Sequence, residues 1–262
     1  MSEGCKNCYA ASFVARFWKN RPFSDVRAMP QLFSKPFEWK RPRKIFVNSM
    51  SDLFHEKVSK EVIRSIFDIM LETPRHTYQI LTKRPRRMLR IFNELGYVPE
   101  NVWLGVSAEN QKAVEERIPL LMQSNAKIKF VSCEPLLGPV NLQGFDLDWV
   151  IVGGETGPHA RPMHPAWVWQ LQGHCVDHSI PFFFKSWGEW RVGANRDGKP
   201  VCIVLRDGRA IMMKDNLHEF NGMSDESAAV FSPALMSRHG KKSNGRTLAG
   251  REYSQFPERK LL

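Results

Sequence analysis

Six short apolar runs recur along the chain, each followed by polar residues and then by helical periodicity, and this alternation restricts the fold more than any other feature. They are Lys44-Ile45-Phe46-Val47, Tyr78-Gln79-Ile80-Leu81, Val102-Trp103-Leu104-Gly105-Val106, Ile128-Lys129-Phe130-Val131, Trp149-Val150-Ile151-Val152 and Pro181-Phe182-Phe183-Phe184. Near-continuous apolar runs predict parallel strands buried on both faces. Amphipathic segments lie between them at about residues 56–73, 85–95, 110–124 and 164–178. In the first, Val62, Ile66, Ile69 and Met70 fall three to four apart, the spacing of a helix that covers a sheet. The alternation predicts an α/β fold, either a barrel or an open doubly wound sheet.

The residues that end the runs favour a barrel. They are Asn48, Ser49, Ser51 and Asp52; Thr82, Lys83 and Arg84; Ser107, Glu109 and Asn110; Ser132, Cys133 and Glu134; Gly153, Gly154 and Glu155; Lys185 and Trp187. Polar groups delivered at the same end of every strand are how a barrel assembles a site. Ser, Asp and Asn also suit helix caps and turns, a role that fits Ser107 and Asp52 but not the recurring Lys, Arg, Cys and Glu. The expectation is that Ser49, Lys83, Ser107, Glu134, Glu155 and Lys185 converge on one mouth. Lys83 and Arg84 would place two cations there, able to hold a carboxylate or phosphate, with Pro85 at the first helical position behind them. Gly153-Gly154-Glu155 either lets backbone approach a ligand, with Glu155 binding a hydroxyl or ammonium, or forms a tight turn. Asp52 and Glu134 are candidates for a pair of carboxylates. Cys133 either faces the site beside Glu134 or is a buried thiol, while Cys175 and Cys202 read as structural. His55, His159 and His164 show no metal-ligand spacing.

Lys and Arg outnumber Asp and Glu by 38 to 27, and the net charge of +11 attracts polyanions and anionic cofactors. The partner is then a nucleic acid or another anion, unless the chain is simply a basic enzyme. Five cysteines, an odd number, argue for metal binding or free thiols rather than a disulfide framework. No apolar run approaches the length of a membrane span, and the first residues lack a signal-peptide pattern, so a cytoplasmic chain is expected. Past residue 188 the texture changes to short alternating runs with Asp197-Gly198 and Asp207-Gly208 turns, then a basic stretch from Ser237 to Arg246 read as a loop. Residues 1–188 are therefore read as the barrel, and 189–262 as an appendage of hairpins and a basic loop.

The sharpest local motif is Cys5-Lys6-Asn7-Cys8 followed by Tyr9, which opens a helix through Ala10 to Trp18. Two thiolates so spaced can hold one iron or zinc, but two ligands do not complete a tetrahedral site. With it, the chain resembles a bacteriophage-associated family, the three-Cys-motif proteins, an outlying branch of the radical S-adenosylmethionine superfamily. The matching segments are Gly4 to Ala10, Phe46 to His55, Leu81 to Pro85, Trp103 to Ser107, Val131 to Leu136, Val152 to Glu155, Phe184-Lys185 with Trp187-Gly188, and Gly245-Arg246 with Leu248, Gly250-Arg251 and Phe256-Pro257.

The resemblance implies a partial TIM-like barrel, a [4Fe–4S] cluster held by three cysteines, and S-adenosylmethionine at the open iron. The metal ligands would be Cys5 and Cys8, and the cofactor side would be formed by Ser49, Ser51, Asp52, Ser107, Gly153, Gly154 and Glu155. Cys133, Glu134, Lys83 and Lys185 are the candidates for catalysis on a nucleic acid or other anionic substrate. The family carries a strand and a further cysteine ahead of the pair, whereas this chain begins at Met1. The expectation is thus a barrel without its first strand, and a longer upstream form that holds the full cluster. The alternative is a non-catalytic phage-associated protein that binds nucleic acid or a partner protein, its cysteine pair holding zinc or nothing.

Overall fold

Each apolar run forms a strand, and each strand ends within two residues of where the run ends. The strands are β1 (Lys44–Val47), β2 (Thr77–Thr82), β3 (Val102–Ser107), β4 (Ile128–Cys133), β5 (Trp149–Gly153) and β6 (Phe182–Ser186). The computed structural model describes residues 2–17, 22–193, 200–212 and 233–258. Helix α1 (Tyr9–Phe17) and the short α2 (Lys35–Glu38) precede the sheet, and α3 (Lys60–Glu72), α4 (Pro85–Leu95), α5 (Gln111–Met122) and α6 (Pro165–Asp177) alternate with its strands. Local chemistry sets their ends. The Ser59 hydroxyl accepts from Val62 N to start α3, and Asn110 accepts from Ala113 N to start α5. Pro85 opens α4, and Gly96 closes it at φ 80°.

All six strands are parallel, in the order β1-β2-β3-β4-β5-β6. This order decides between the two α/β alternatives. A doubly wound sheet reverses its order partway, whereas unbroken right-handed crossovers put every helix on one face and curl the sheet into a half-barrel. The segment between β4 and β5 carries no helix but supplies Leu136, Val140, Leu142 and Leu147 to the same core.

The two faces of the sheet carry separate clusters. Tyr78, Ile80, Leu104, Val106, Val131, Val150, Val152 and Phe184 pack against the helices. The opposite positions of the pleat, Trp103, Ile128, Phe130 and Trp149, form a second cluster with Leu81, Ile151 and Phe183 on the concave side. The Phe130 ring packs against Gly105, where a Cβ would stand 2.4 Å from it. The expectation of burial on both faces holds only in part. Phe46 is 44% exposed, and Leu81, Ile151 and Phe183 are half-buried, because a half-barrel does not close over its own interior. Among the described residues no strand pairs with the outer edge of β1.

The C-terminal part contains a four-stranded antiparallel sheet of β7 (Trp190–Val192), β8 (Val201–Val204), β9 (Ala210–Met212) and β10 (Ala234–Arg238), ordered β7-β10-β8-β9. The Asp207-Gly208 turn joins β8 to β9 as its sequence predicts, with Gly208 at φ 96°. The Asp197-Gly198 turn lies outside the described residues. The basic stretch is not simply a loop: Ser237 and Arg238 end β10, and Lys241–Asn244 form the one-turn helix α7. Strands β11 (Thr247–Leu248) and β12 (Arg251–Glu252) form a small hairpin, and the chain then returns to the barrel. Phe184 N donates to Tyr253 O at 3.0 Å and Phe182 N to the Gln255 side chain at 3.0 Å, so the β6 edge is covered. No helix among the described residues is long and apolar enough to cross a membrane.

Candidate functional site

The C-terminal ends of the strands face one another in adjacent pairs. Lys83, just past β2, donates to Ser107 Oγ on β3 at 3.2 Å. Lys185 on β6 reaches across β5 to the Glu134 carboxylate at 2.9 Å. Gly153 of β5 leaves the room for that crossing, since a Cβ there would stand 3.2 Å from the Glu134 carboxyl carbon. Asp52, in the turn after β1, accepts from Thr82 Oγ1 at 2.8 Å, from Lys83 N at 3.1 Å, from Arg84 at 3.1 Å and from Phe54 N at 3.0 Å. Four donors saturate this carboxylate, and its job is to tie the β1 and β2 ends together. Asp52 and Glu134, the candidate carboxylates, are each held by a cation of their own, Arg84 and Lys185. Ser49 and Ser51 are placed in the same turn, Ser51 exposed and Ser49 half-buried.

The cysteine loop sits on this mouth through residues that motif reasoning missed. Gly4 N donates to Glu109 Oε1 at 3.4 Å, and Asn110 Nδ2 to the Glu3 carboxylate at 2.8 Å. Asn7 Nδ2 donates to Glu155 at 3.1 Å and to His159 O at 2.7 Å, while Arg161 donates to Glu3 O at 2.9 Å. Two buried carboxylates, at the ends of β3 and β5, anchor the seat. Glu109 is paired with Arg117 of α5 at 2.8 Å and Glu155 with Arg161 at 2.6 Å. Burial alone would raise both carboxyls; the arginines beside them, and Asn7 beside Glu155, outweigh it and hold both below the usual carboxylate range. Glu109 and Glu155 were visible as strand-end acids, but no spacing in the sequence signals Asn7, Arg117 or Arg161 as their partners.

Cys5 and Cys8 are half-buried in this loop, with Cys8 N donating to Cys5 O at 3.3 Å. No group of three or more His, Cys, Asp or Glu side chains that could hold a metal occurs among the described residues. The described donors at the mouth are thus two thiols, fewer than the three thiolates that a cluster with one open iron takes.

The pleat and backbone packing choose between two alternatives that the sequence leaves open. Cys133 follows Ser132 on β4 and so points to the helix side, where it is fully buried. Burial, with Cys175 and Glu109 nearby, pushes its thiol far up, as for a buried structural cysteine. Gly154 does not open backbone to a ligand, because a Cβ there would lie 2.0 Å from Trp187 O and the space is filled by the chain after β6. Gly188, at φ 78°, makes the reciprocal approach to Glu155 O. Cys175 and Cys202 are buried as expected, and burial pushes each thiol up to about 12. His164 caps α6 through Nδ1, which accepts from Ala166 N.

No curated protein and no solved structure matches the chain. One family profile, described as "Protein of unknown function (DUF5131)", matches residues 1–257. That span takes in the cysteine loop, the half-barrel and the returning tail, and the chain belongs to this family.

Proposed function

We propose that the chain is an iron–sulfur protein of the radical S-adenosylmethionine type, from a phage-associated family and working in the cytosol. Its mouth residues act on an anionic substrate. The observation that carries this reading is the seat of the Cys5–Cys8 loop, which Glu109, Glu155 and Arg161 hold over the C-terminal ends of the strands. Cys5 and Cys8 would supply two cluster ligands, with the third coming from outside the donors described. A bound cluster would supply the electron for reductive cleavage of the sulfonium. The chain's own residues hold the loop, and Lys83 and Lys185 present ammonium groups across the mouth from Ser107 and Glu134.

The count of two thiols favours one second reading: a non-catalytic protein whose cysteine pair holds zinc or nothing, and which binds a nucleic acid or a partner protein. Anaerobic reconstitution with iron and sulfide separates the two. The first reading expects a brown protein with absorbance near 400 nm, lost in Cys5→Ser and Cys8→Ser, and cleavage of S-adenosylmethionine under reducing conditions. A colourless protein that retains zinc, or no metal at all, would overturn it.

A further inference from the structure

The cations of this chain are treated differently at the two ends of the half-barrel. At the C-terminal mouth Arg84, Arg117, Arg161 and Lys185 each meet a carboxylate. At the N-terminal ends of β1–β3, Arg43, Lys44 and Arg75 line a cavity of about 350 Å³ with Thr77 and Trp103, and no carboxylate lines it. None of the three cations makes an ion pair with a described acid. Their partners are neutral. Arg43 lies 4.7 Å from the Trp39 ring centroid, and Lys44 lies 4.0 Å from that of Phe256. Arg75 donates to Trp39 O, Pro36 O and Phe37 O. Rings and carbonyls orient these charges without cancelling them, so the field of the site stays positive.

Two further observations say what such a field would hold. Phe46, two residues up β1 from Lys44 on the same face, is 44% exposed, and Phe256 is 37% exposed. Gln79 pairs in register with Phe46 and shares the face of Thr77, and it is 7% exposed with no partner for its Nε2. A buried amide donor without an acceptor is rare in a finished structure. Exposed rings between unpaired cations, beside a free amide donor, match the chemistry of unstacked bases on a phosphate backbone. A duplex keeps its bases stacked and offers such rings nothing.

We propose that the N-terminal end of the half-barrel binds single-stranded nucleic acid, with Arg43, Lys44 and Arg75 on the phosphates, Phe46 and Phe256 against the bases and the Gln79 amide turning outward from its buried position to donate to a base edge. This site is separate from the cysteine mouth and does not rest on the iron–sulfur reading.

The test uses the metal-free full chain and a short fluorescein-labelled oligothymidylate, read by anisotropy across a salt titration. The double variant R43E/K44E should weaken binding at least ~10-fold and flatten the log–log salt slope by about 0.7 for each phosphate no longer neutralised. Phe46→Ala should weaken binding ~5-fold or more at every salt with the slope unchanged, as removal of a stacking platform does. K241E/K242E, on α7, should stay within about twofold of the parent, since those lysines do not line the site. Both glutamate changes fall on exposed side chains, and circular dichroism checks that the fold persists. Unchanged binding by R43E/K44E, equal binding of a duplex, or thymidine monophosphate binding as tightly as the strand would each overturn the proposal.

Discussion

Glu109 and Glu155 have folded pKa values depressed below their unfolded ones. The stability they contribute is complete above the unfolded value of about 4.3 and is lost as pH falls through the folded values. The first consequence of acidification is therefore local, because both carboxylates seat the cysteine loop. As pH falls below about 4.3, hydrogen exchange in residues 3–8 should rise before that in β3 and β4, an order that mass spectrometry of peptic fragments would read. At pH 8 the corresponding lesion is Glu155→Ala, which removes the carboxylate that Arg161 and Asn7 share. Alkylation of Cys5 and Cys8 should accelerate severalfold in that variant, while Cys133, Cys175 and Cys202 stay unreactive behind their raised pKa values. Equal labelling in parent and variant would show that the loop does not depend on this carboxylate. Arg117→Ala is a harsher change. It strands the buried Glu109 charge and should cost about 3–5 kcal/mol of stability in urea unfolding.

At the scale of elements, strands and helices were legible because each carries its own periodicity, and boundaries such as Pro85 and Asn110 carry their own chemistry. Which end of each strand bears polar groups was legible for the same reason. The facing of individual residues past the strand ends was harder, and Cys133 shows why: one step along the pleat separates the helix core from the concave interior. The seat of the cysteine loop was not legible, because Gly4 and Glu109 meet only through the fold. The glycines illustrate a third case, in which the residue is visible and its reason is not. Gly105 reads as part of an apolar run, yet it leaves the space that the Phe130 ring fills, and Gly154 lets two backbones touch. Gly105→Ala must push an aromatic side chain aside and should cost about 1–3 kcal/mol. Gly154→Ala meets a backbone carbonyl that cannot swing away, and should be the worse of the two in the same urea titration. A smaller destabilisation at Gly154 than at Gly105 would contradict this reading of the backbone approach.

For the whole molecule, the two textures on either side of residue 188 are joined by hydrogen bonds. Trp187 donates to Thr247 O, Trp190 to Ala160 O and Asn244 to Gly188 O, and the tail covers the β6 edge. A chain ending at residue 188 should therefore be insoluble or molten, with ANS binding and no sharp thermal transition, while the full chain melts in one step. A soluble, cooperatively melting 1–188 fragment would show that the barrel stands alone. The sequential strand order also sets a calendar for synthesis. Each strand can dock on its predecessor as it leaves the ribosome, so the sheet grows from β1 toward β6 in the order it is translated. The cysteine loop runs against that calendar: it is made before any of the six strands, yet it waits for Glu109, 105 residues beyond Gly4, and Glu155, 148 residues beyond Asn7. The two thiols ahead of β1 thus find their place only after β5 is made, and whatever they are to hold is best delivered to a folded protein, not a nascent one.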